Sequence, residues 1–282
     1  MLRQRIVTAL VLLAIMLPAL ATQARWPFAL FSLVLIAAAA WEWARLNDAH
    51  GVAAVTWCVL AVLLAAIVDV SGLGLQPGLW WATTLVWIAA SAWALRLGVP
   101  HWQHSHVVIR RVGGLVLLVL AWQAMMQARR WGLNGLLSIF CLVWAADVFA
   151  YAGGRLWGRR KLAPHISPGK TWEGVFSGLV AVWGVGAAWM QWIDPLMHDQ
   201  GMSLFSSLRT HFGLLGWFLC LSLLTGLAVV GDLMESLAKR SAGVKDSSGL
   251  LPGHGGVLDR VDALLPVFPA AMGLVLMGKA VS

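Results

Sequence analysis

The chain has 282 residues, of which 60% are apolar and only 11% charged. A soluble domain of this size carries roughly a quarter charged and just under half apolar residues, which excludes a soluble globule, a disordered chain, a collagen-like fibre and a disulfide-stapled secreted module. The protein reads as an integral membrane protein, and its formal charge of +8 reports orientation rather than a nucleic-acid partner.

A helix needs about 20 largely apolar residues to cross the hydrocarbon layer. About nine such stretches follow one another, near 6–22, 27–46, 52–70, 78–96, 112–127, 132–152, 173–192, 213–231 and 262–279. The first has a second reading, because Arg3 and Arg5 precede an apolar run ending in Ala19-Leu20-Ala21, which resembles a signal-peptide cleavage site. Trp26, Trp80, Trp81, Trp131, Trp172 and Trp192 stand at span ends, as interfacial indoles do. Cys58, Cys141 and Cys220 lie inside apolar runs and read as small buried hydrophobes. His101, His104 and His106 share a loop with no acidic or thiol partner that would complete a metal site.

With nine spans and a cytoplasmic N-terminus, 15 of the 20 basic residues fall inside, and only Arg25, Arg129, Arg130, Arg209 and Lys279 fall outside. The positive-inside rule favours that orientation, and it puts the polar connections 153–172 and 232–261 in the cytoplasm. The expected fold is all-α and polytopic, with a polar site at the cytoplasmic face. It forms one integral-membrane domain over 1–282, in which 1–130 is mainly scaffold and 140–266 holds the chemistry.

The second of those connections is the more informative. From Gly231 to Asp262 it holds Asp232, Glu235, Asp246, Asp259 and Asp262 together with Lys239, Arg240, Lys245 and Arg260. Asp232 ends one apolar run and Asp262 begins another, and carboxylates at such depth call for a named partner. Asp232, Glu235 and Lys239 are three and four residues apart, so a helix continuing past Gly231 puts them on one face; Asp259 and Asp262 pair in the same way. Paired hard oxygen ligands suit Mg²⁺. Between the pairs, Pro252-Gly253-His254-Gly255-Gly256 predicts a tight turn whose backbone N–H groups are able to cradle an anion.

A second constellation begins within the sixth span at Asp147 and runs through Arg155, Arg159-Arg160-Lys161 and Ser167-Pro168-Gly169-Lys170-Thr171 to Glu173. Ser167, Lys170 and Thr171 offer donors to phosphate oxygens. The basic run reads equally as a phosphate site or as charge drawn to anionic lipid.

Both stretches resemble the phosphatidate cytidylyltransferase family. The family signature is matched from Ser236 through Lys239-Arg240, Lys245-Asp246, Pro252, His254-Gly255-Gly256 and Asp259-Arg260 to Asp262, with Ala238 the one departure. The resemblance, strong over roughly 145–266, implies an enzyme of the bacterial inner membrane that joins CTP and phosphatidic acid into CDP-diacylglycerol, releasing pyrophosphate, with 140–266 as its catalytic core. It implies Asp246, Asp259, Lys245 and Arg260 as catalytic residues. Mg²⁺ candidates are Asp147, Asp232, Asp246, Asp259 and Asp262, with a monovalent ion such as K⁺ left open. Ser167, Lys170, Thr171, Lys239, Arg240, His254, Gly255 and Gly256 are the candidates for substrate binding. Asp147 is either a metal ligand or the partner of a cation, and His254 either contacts phosphate or shapes the turn. A homodimer is implied by the resemblance alone.

A transporter or lipid-binding protein is the alternative, but it predicts broken helices in two related halves, whereas the charges here cluster in one half. A CDP-alcohol phosphotransferase would carry an Asp-Gly-x-x-Ala-Arg pattern, which is absent.

Overall fold

The computed structural model describes residues 2–22 and 24–281. The side chains of Arg3, Arg5 and Lys279, which enter the charge asymmetry, lie outside the described set. Among the described residues ten α-helices follow in chain order: α1 (Leu2–Ala21), α2 (Trp26–Leu46), α3 (Val52–Ser71), α4 (Pro77–His104), α5 (Val107–Trp131), α6 (Leu133–Trp157), α7 (Trp172–Ala188), α8 (Leu204–Ser241), the short α9 (Leu258–Val261) and α10 (Leu264–Val281). Among the described residues eight helical segments are long and apolar enough to cross a membrane, and Ile6–Ala21 adds a shorter apolar helix. The only strands among the described residues, β1 (Lys161–Ala163) and β2 (Ser167–Thr171), form an antiparallel hairpin after α6.

Exposed side chains such as Val34, Ile67, Ile109 and Leu219 line the outer helix faces, where lipid is their natural solvent. The most buried span is Leu258–Gly278, with 78% of its window inside the protein, against 22% for α3 at the periphery. Helices α6 and α7 approach closely because small residues face each other. A Cβ on Gly178 would lie 2.7 Å from the Ala146 carbonyl, and one on Gly174 would lie 2.6 Å from that of Ala150.

The spans agree with the hydropathy reading, and the ends differ in informative ways. Helix α6 runs on to Trp157, so Gly153 to Trp157 are helical rather than part of the 153–172 connection. Helix α8 is broken at Gly213 (φ 65°, ψ −170°), where the eighth apolar stretch begins, and then continues through Gly231 to Ser241. Helix α4 has a similar break at Gly98.

Successive crossings leave the C-terminal ends of α2, α4, α6 and α8 at one face. Contacts there confirm it: Gln103 Nε2 donates to the Ser241 carbonyl at 2.8 Å, and the Arg240 Nε donates to the Ile166 carbonyl at 3.4 Å. The hairpin and the 242–257 loop occupy the same face.

Candidate active site

The site begins with a glycine. A Cβ at Gly231 would collide with the Asp262 carbonyl and lie 3.0 Å from Pro266 Cδ and 3.1 Å from Ala263 Cα. Its absence lets α8 meet the start of α10, which brings Asp232 and Asp262 to one place. Ligand oxygens of Asp232, Glu235 and Asp262 all lie within 4.8 Å of one another, the one acidic grouping of this kind among the described residues.

Cations border the acids. Lys170 Nζ, from β2, stands 2.6 Å from Asp232 Oδ2, and it is also a charged neighbour of Asp147 and Asp262. Lys239, one turn beyond Glu235 on α8, pairs with that carboxylate and reaches Asp259 Oδ1 at 2.5 Å. Glu235 and Asp259 side chains are nearly buried. Ser236 Oγ donates to Asp232 Oδ1 at 3.3 Å, and the Ala263 N–H to Asp262 Oδ1 at 2.8 Å. Asp147, on α6, has an exposed side chain beside Asp232.

The glycine-rich turn takes the predicted left-handed backbone at Gly253 (φ 77°) and Gly255 (φ 82°). Its last N–H and several donors flanking it, however, hold anions supplied by the chain. The Gly256 N–H donates to Asp259 Oδ2 at 2.8 Å, and the Ser247 N–H and hydroxyl donate to the same oxygen at 2.9 Å each. The Val257 and Leu258 N–H groups donate to Glu42 Oε1 and Oε2 at 2.9 and 2.6 Å. Glu42, on α2, is fully buried and also accepts from the Ser247 and Ser248 hydroxyls at 3.1 and 2.5 Å. Gly256 permits this, because a Cβ there would run into Ser247 Oγ and the Glu42 carboxylate.

Other residues singled out from sequence fall around this frame. The Thr171 hydroxyl caps α7, accepting from the Gly174 N–H at 3.2 Å. Arg260 donates through Nε and Nη2 to the His254 carbonyl, at 3.0 and 2.6 Å. Arg240 Nη1 donates to the Val244 carbonyl at 3.2 Å. Lys245 and Asp246 are exposed, with no ion pair or hydrogen bond among the described residues, and Ser167 is half-buried in β2. The Arg159 and Arg160 N–H groups donate to the carboxylate of the half-buried Glu173. The Nδ1 atoms of His101 and His104 each meet the carbonyl four residues earlier.

The cytidylyltransferase family pattern matches residues 3–277. The chain belongs to that family. It is 40% identical over 284 aligned positions to the phosphatidate cytidylyltransferase of Pseudomonas aeruginosa, covering 96% of this chain and 97% of the relative. The corresponding protein of Haemophilus influenzae is 46% identical over 140 residues, covering 49% of this chain and 44% of the relative. Phosphatidate cytidylyltransferase 5, chloroplastic, of Arabidopsis thaliana is 43% identical over 136 residues, covering 48% and 30%.

For this family member the structure adds two residues that sequence reasoning passed over as ligand or clamp. Glu235 stands in the acidic trio in place of Asp246 or Asp259, because α8 stays helical and turns it toward Asp232. Glu42 anchors the signature loop from a span read as scaffold. Its signal was legible: it is a lone acid inside an apolar stretch, the kind of residue that demands a partner.

Proposed function

We propose that the chain is a phosphatidate cytidylyltransferase, acting at the cytoplasmic face of a bacterial inner membrane. A phosphate oxygen of phosphatidic acid bonds to the α-phosphorus of CTP, the bond from that phosphorus to the bridging oxygen breaks, and pyrophosphate leaves with the electron pair. A phosphate monoester is already largely dianionic near neutral pH, so the nucleophile needs no strong base. The site has instead to bring two polyanions together and neutralise the leaving group.

The observation that supports this most is the trio of carboxylates at the joint of α8 and α10, flanked by Lys170 and Lys239. When ionised, Asp147, Asp232, Glu235, Asp259 and Asp262 face, among the described residues, these two ammonium groups, leaving surplus negative charge that fits a divalent cation. Asp232, Glu235 and Asp262 would hold Mg²⁺, whose preference is for hard oxygen donors. When bound, it supplies charge neutralisation for the phosphates and the departing pyrophosphate.

The chain's own residues divide the remaining work. Lys170 and Lys239 hold the acids in place and lower repulsion toward incoming phosphate. Lys245, free of internal partners, and the partly engaged Arg240 and Arg260 are the cations available to the triphosphate, and Ser167 adds a hydroxyl. Asp246 is the carboxylate of the loop left open to substrate or metal. Asp259, Glu42, Gly255 and Gly256 fix the shape of that loop.

Both substrates reach such a site. CTP comes from water, and phosphatidic acid keeps its acyl chains in the leaflet, so the reacting groups meet at the headgroup level. Purified protein given CTP, phosphatidic acid and Mg²⁺ is expected to yield CDP-diacylglycerol and pyrophosphate in equal amounts. A folded preparation that forms no CTP-dependent lipid product would overturn the reading.

A further inference from the structure

Helix α1 touches the signature loop. The Thr8 hydroxyl donates to the Pro252 carbonyl at 2.8 Å, across 244 positions of sequence. The rest of α1 is peripheral: Ile6, Leu10, Leu13 and Leu17 are exposed, while Met16 packs against the core. Its other end is held as well, because Arg129 Nη2, in the last turn of α5, donates to the Leu20 and Thr22 carbonyls at 3.3 and 3.0 Å. Carbonyls at the end of a helix have no partner within it, so Arg129 satisfies groups that α1 itself leaves open. A helix tied at both ends has little room to slide, and Thr8 stays in register with the loop.

The carbonyl that Thr8 holds belongs to a type II turn. Proline at the first central position fixes φ at about −65°. Gly253 follows with φ 77°, and the His254 N–H closes the turn onto the Leu251 carbonyl at 2.8 Å. Types I and II differ by a flip of the central peptide unit, here the one joining Pro252 to Gly253, which changes the sign of φ at the second central residue. Glycine tolerates both signs, so the turn's own sequence leaves the flip open. The Thr8 hydrogen bond closes it, because in the flipped unit the Pro252 oxygen points away from α1. His254 comes next, and its carbonyl is the acceptor that holds Arg260.

We propose that Thr8 is a positioning residue for the nucleotidyl transfer. Through Pro252 it keeps the signature turn in its type II form, the form in which the His254 carbonyl holds Arg260 where the triphosphate arrives. Helix α1, a span that reads from sequence as scaffold, thereby takes part in the site. The inference rests on the proposed cytidylyltransferase reading, in which this loop receives the phosphates of CTP.

Thr8→Val on the full-length protein removes the donor and keeps the branched shape of the side chain. One net hydrogen bond corresponds to a factor of about two to ten, and kcat/KM for CTP is expected to fall by that factor with the apparent Tm near that of wild type. Thr8→Ser keeps the hydroxyl and should keep the rate. The link to the turn is read from Gly253→Ala, which disfavours positive φ and so mimics the flipped unit. It is expected to cost at least as much as Thr8→Val. Adding Thr8→Val to Gly253→Ala should then cost less than about twofold more, since residues acting through one backbone unit are not additive.

Hydrogen exchange supplies a readout that needs neither CTP nor lipid. Peptides covering 250–256 should exchange at least about threefold faster in Thr8→Val than in wild type, as a local opening no longer held by α1. Loss of the rate in Thr8→Ser, or independent losses in the double variant, would overturn the proposal. Turnover that Thr8→Val leaves unchanged refutes the positioning role and leaves the enzyme reading standing. Faster exchange in Thr8→Val with no turnover even in the wild type supports the tie to the turn and refutes the enzyme reading.

Discussion

The Ser247 hydroxyl donates to the Glu42 carboxylate at 3.1 Å across 205 positions of sequence. Each Glu42 oxygen accepts one hydroxyl and one backbone N–H, so the carboxylate ties both ends of the signature loop to α2. In Glu42→Gln one oxygen becomes an NH₂ group. A hydroxyl can turn to accept from it, but a backbone N–H cannot, so one buried donor is orphaned at about 1–3 kcal/mol. The expected result is a lower apparent Tm in detergent and faster proteolysis within 242–256. Wild-type values for both would show that the clamp contributes little.

Gly231→Ala sets two effects against each other. Alanine is the better helix former by about 1 kcal/mol, but its Cβ would strike backbone atoms of Asp262 and Ala263, and overpacking costs about 1–3 kcal/mol. Backbone atoms yield less readily than the end of a flexible side chain, so the clash should win. Activity is expected to fall at least tenfold, with a higher Mg²⁺ concentration needed for half-maximal rate. A stabilised and fully active variant would mean that α8 and α10 have room to part without cost to the site.

How much of this was legible before the structure depends on the range over which each signal acts. The spans were readable because each carries its own run of apolar residues, and the pairing of Asp232 with Glu235 and Lys239 followed from helical spacing. The Gly253 and Gly255 backbone was readable from the lack of a Cβ. The clamp by Glu42 was not, since nothing local says which distant carboxylate a turn will hold. Nor was it legible that the Gly256 N–H of the turn meets Asp259 and the following Val257 and Leu258 N–H groups meet Glu42. The continuation of α8 through Gly231 made Glu235 a member of the trio, and that choice turned on packing against α10.

Asp246 and Asp259, both within the signature, should respond differently. Asp259 accepts from Lys239, from the Ser247 N–H and hydroxyl and from the Gly256 N–H, so Asp259→Asn should lower the apparent Tm together with activity. Exposed Asp246 has no such partners. Asp246→Asn should therefore leave the apparent Tm within about a degree of wild type, since surface changes of this kind stay within about ±0.5 kcal/mol, while turnover falls at least tenfold. Equal thermal losses in the two variants would contradict the division between a loop-shaping and a substrate-facing carboxylate.

The acidic trio makes the sharpest demand on chemistry. Asp232→Asn, Glu235→Gln and Asp262→Asn each remove one charge from a group whose oxygens lie within 4.8 Å of one another. Such variants relieve repulsion in the metal-free protein, so the apparent Tm without Mg²⁺ is expected to hold or rise for Asp262, whereas Asp232→Asn deprives Lys170 of its ion-pair partner and should lower it. Glu235→Gln differs, because Lys239 loses one of its two carboxylate partners. Added Mg²⁺ should raise the apparent Tm of the wild type by mass action on the folded state, and each variant should need at least tenfold more of the ion for the same rise. The thermal readout keeps the metal site separate from catalysis, since it requires neither CTP nor lipid. Identical Mg²⁺ titrations in wild type and all three variants would place the ion elsewhere, and the trio would then be a set of charges held only by Lys170 and Lys239.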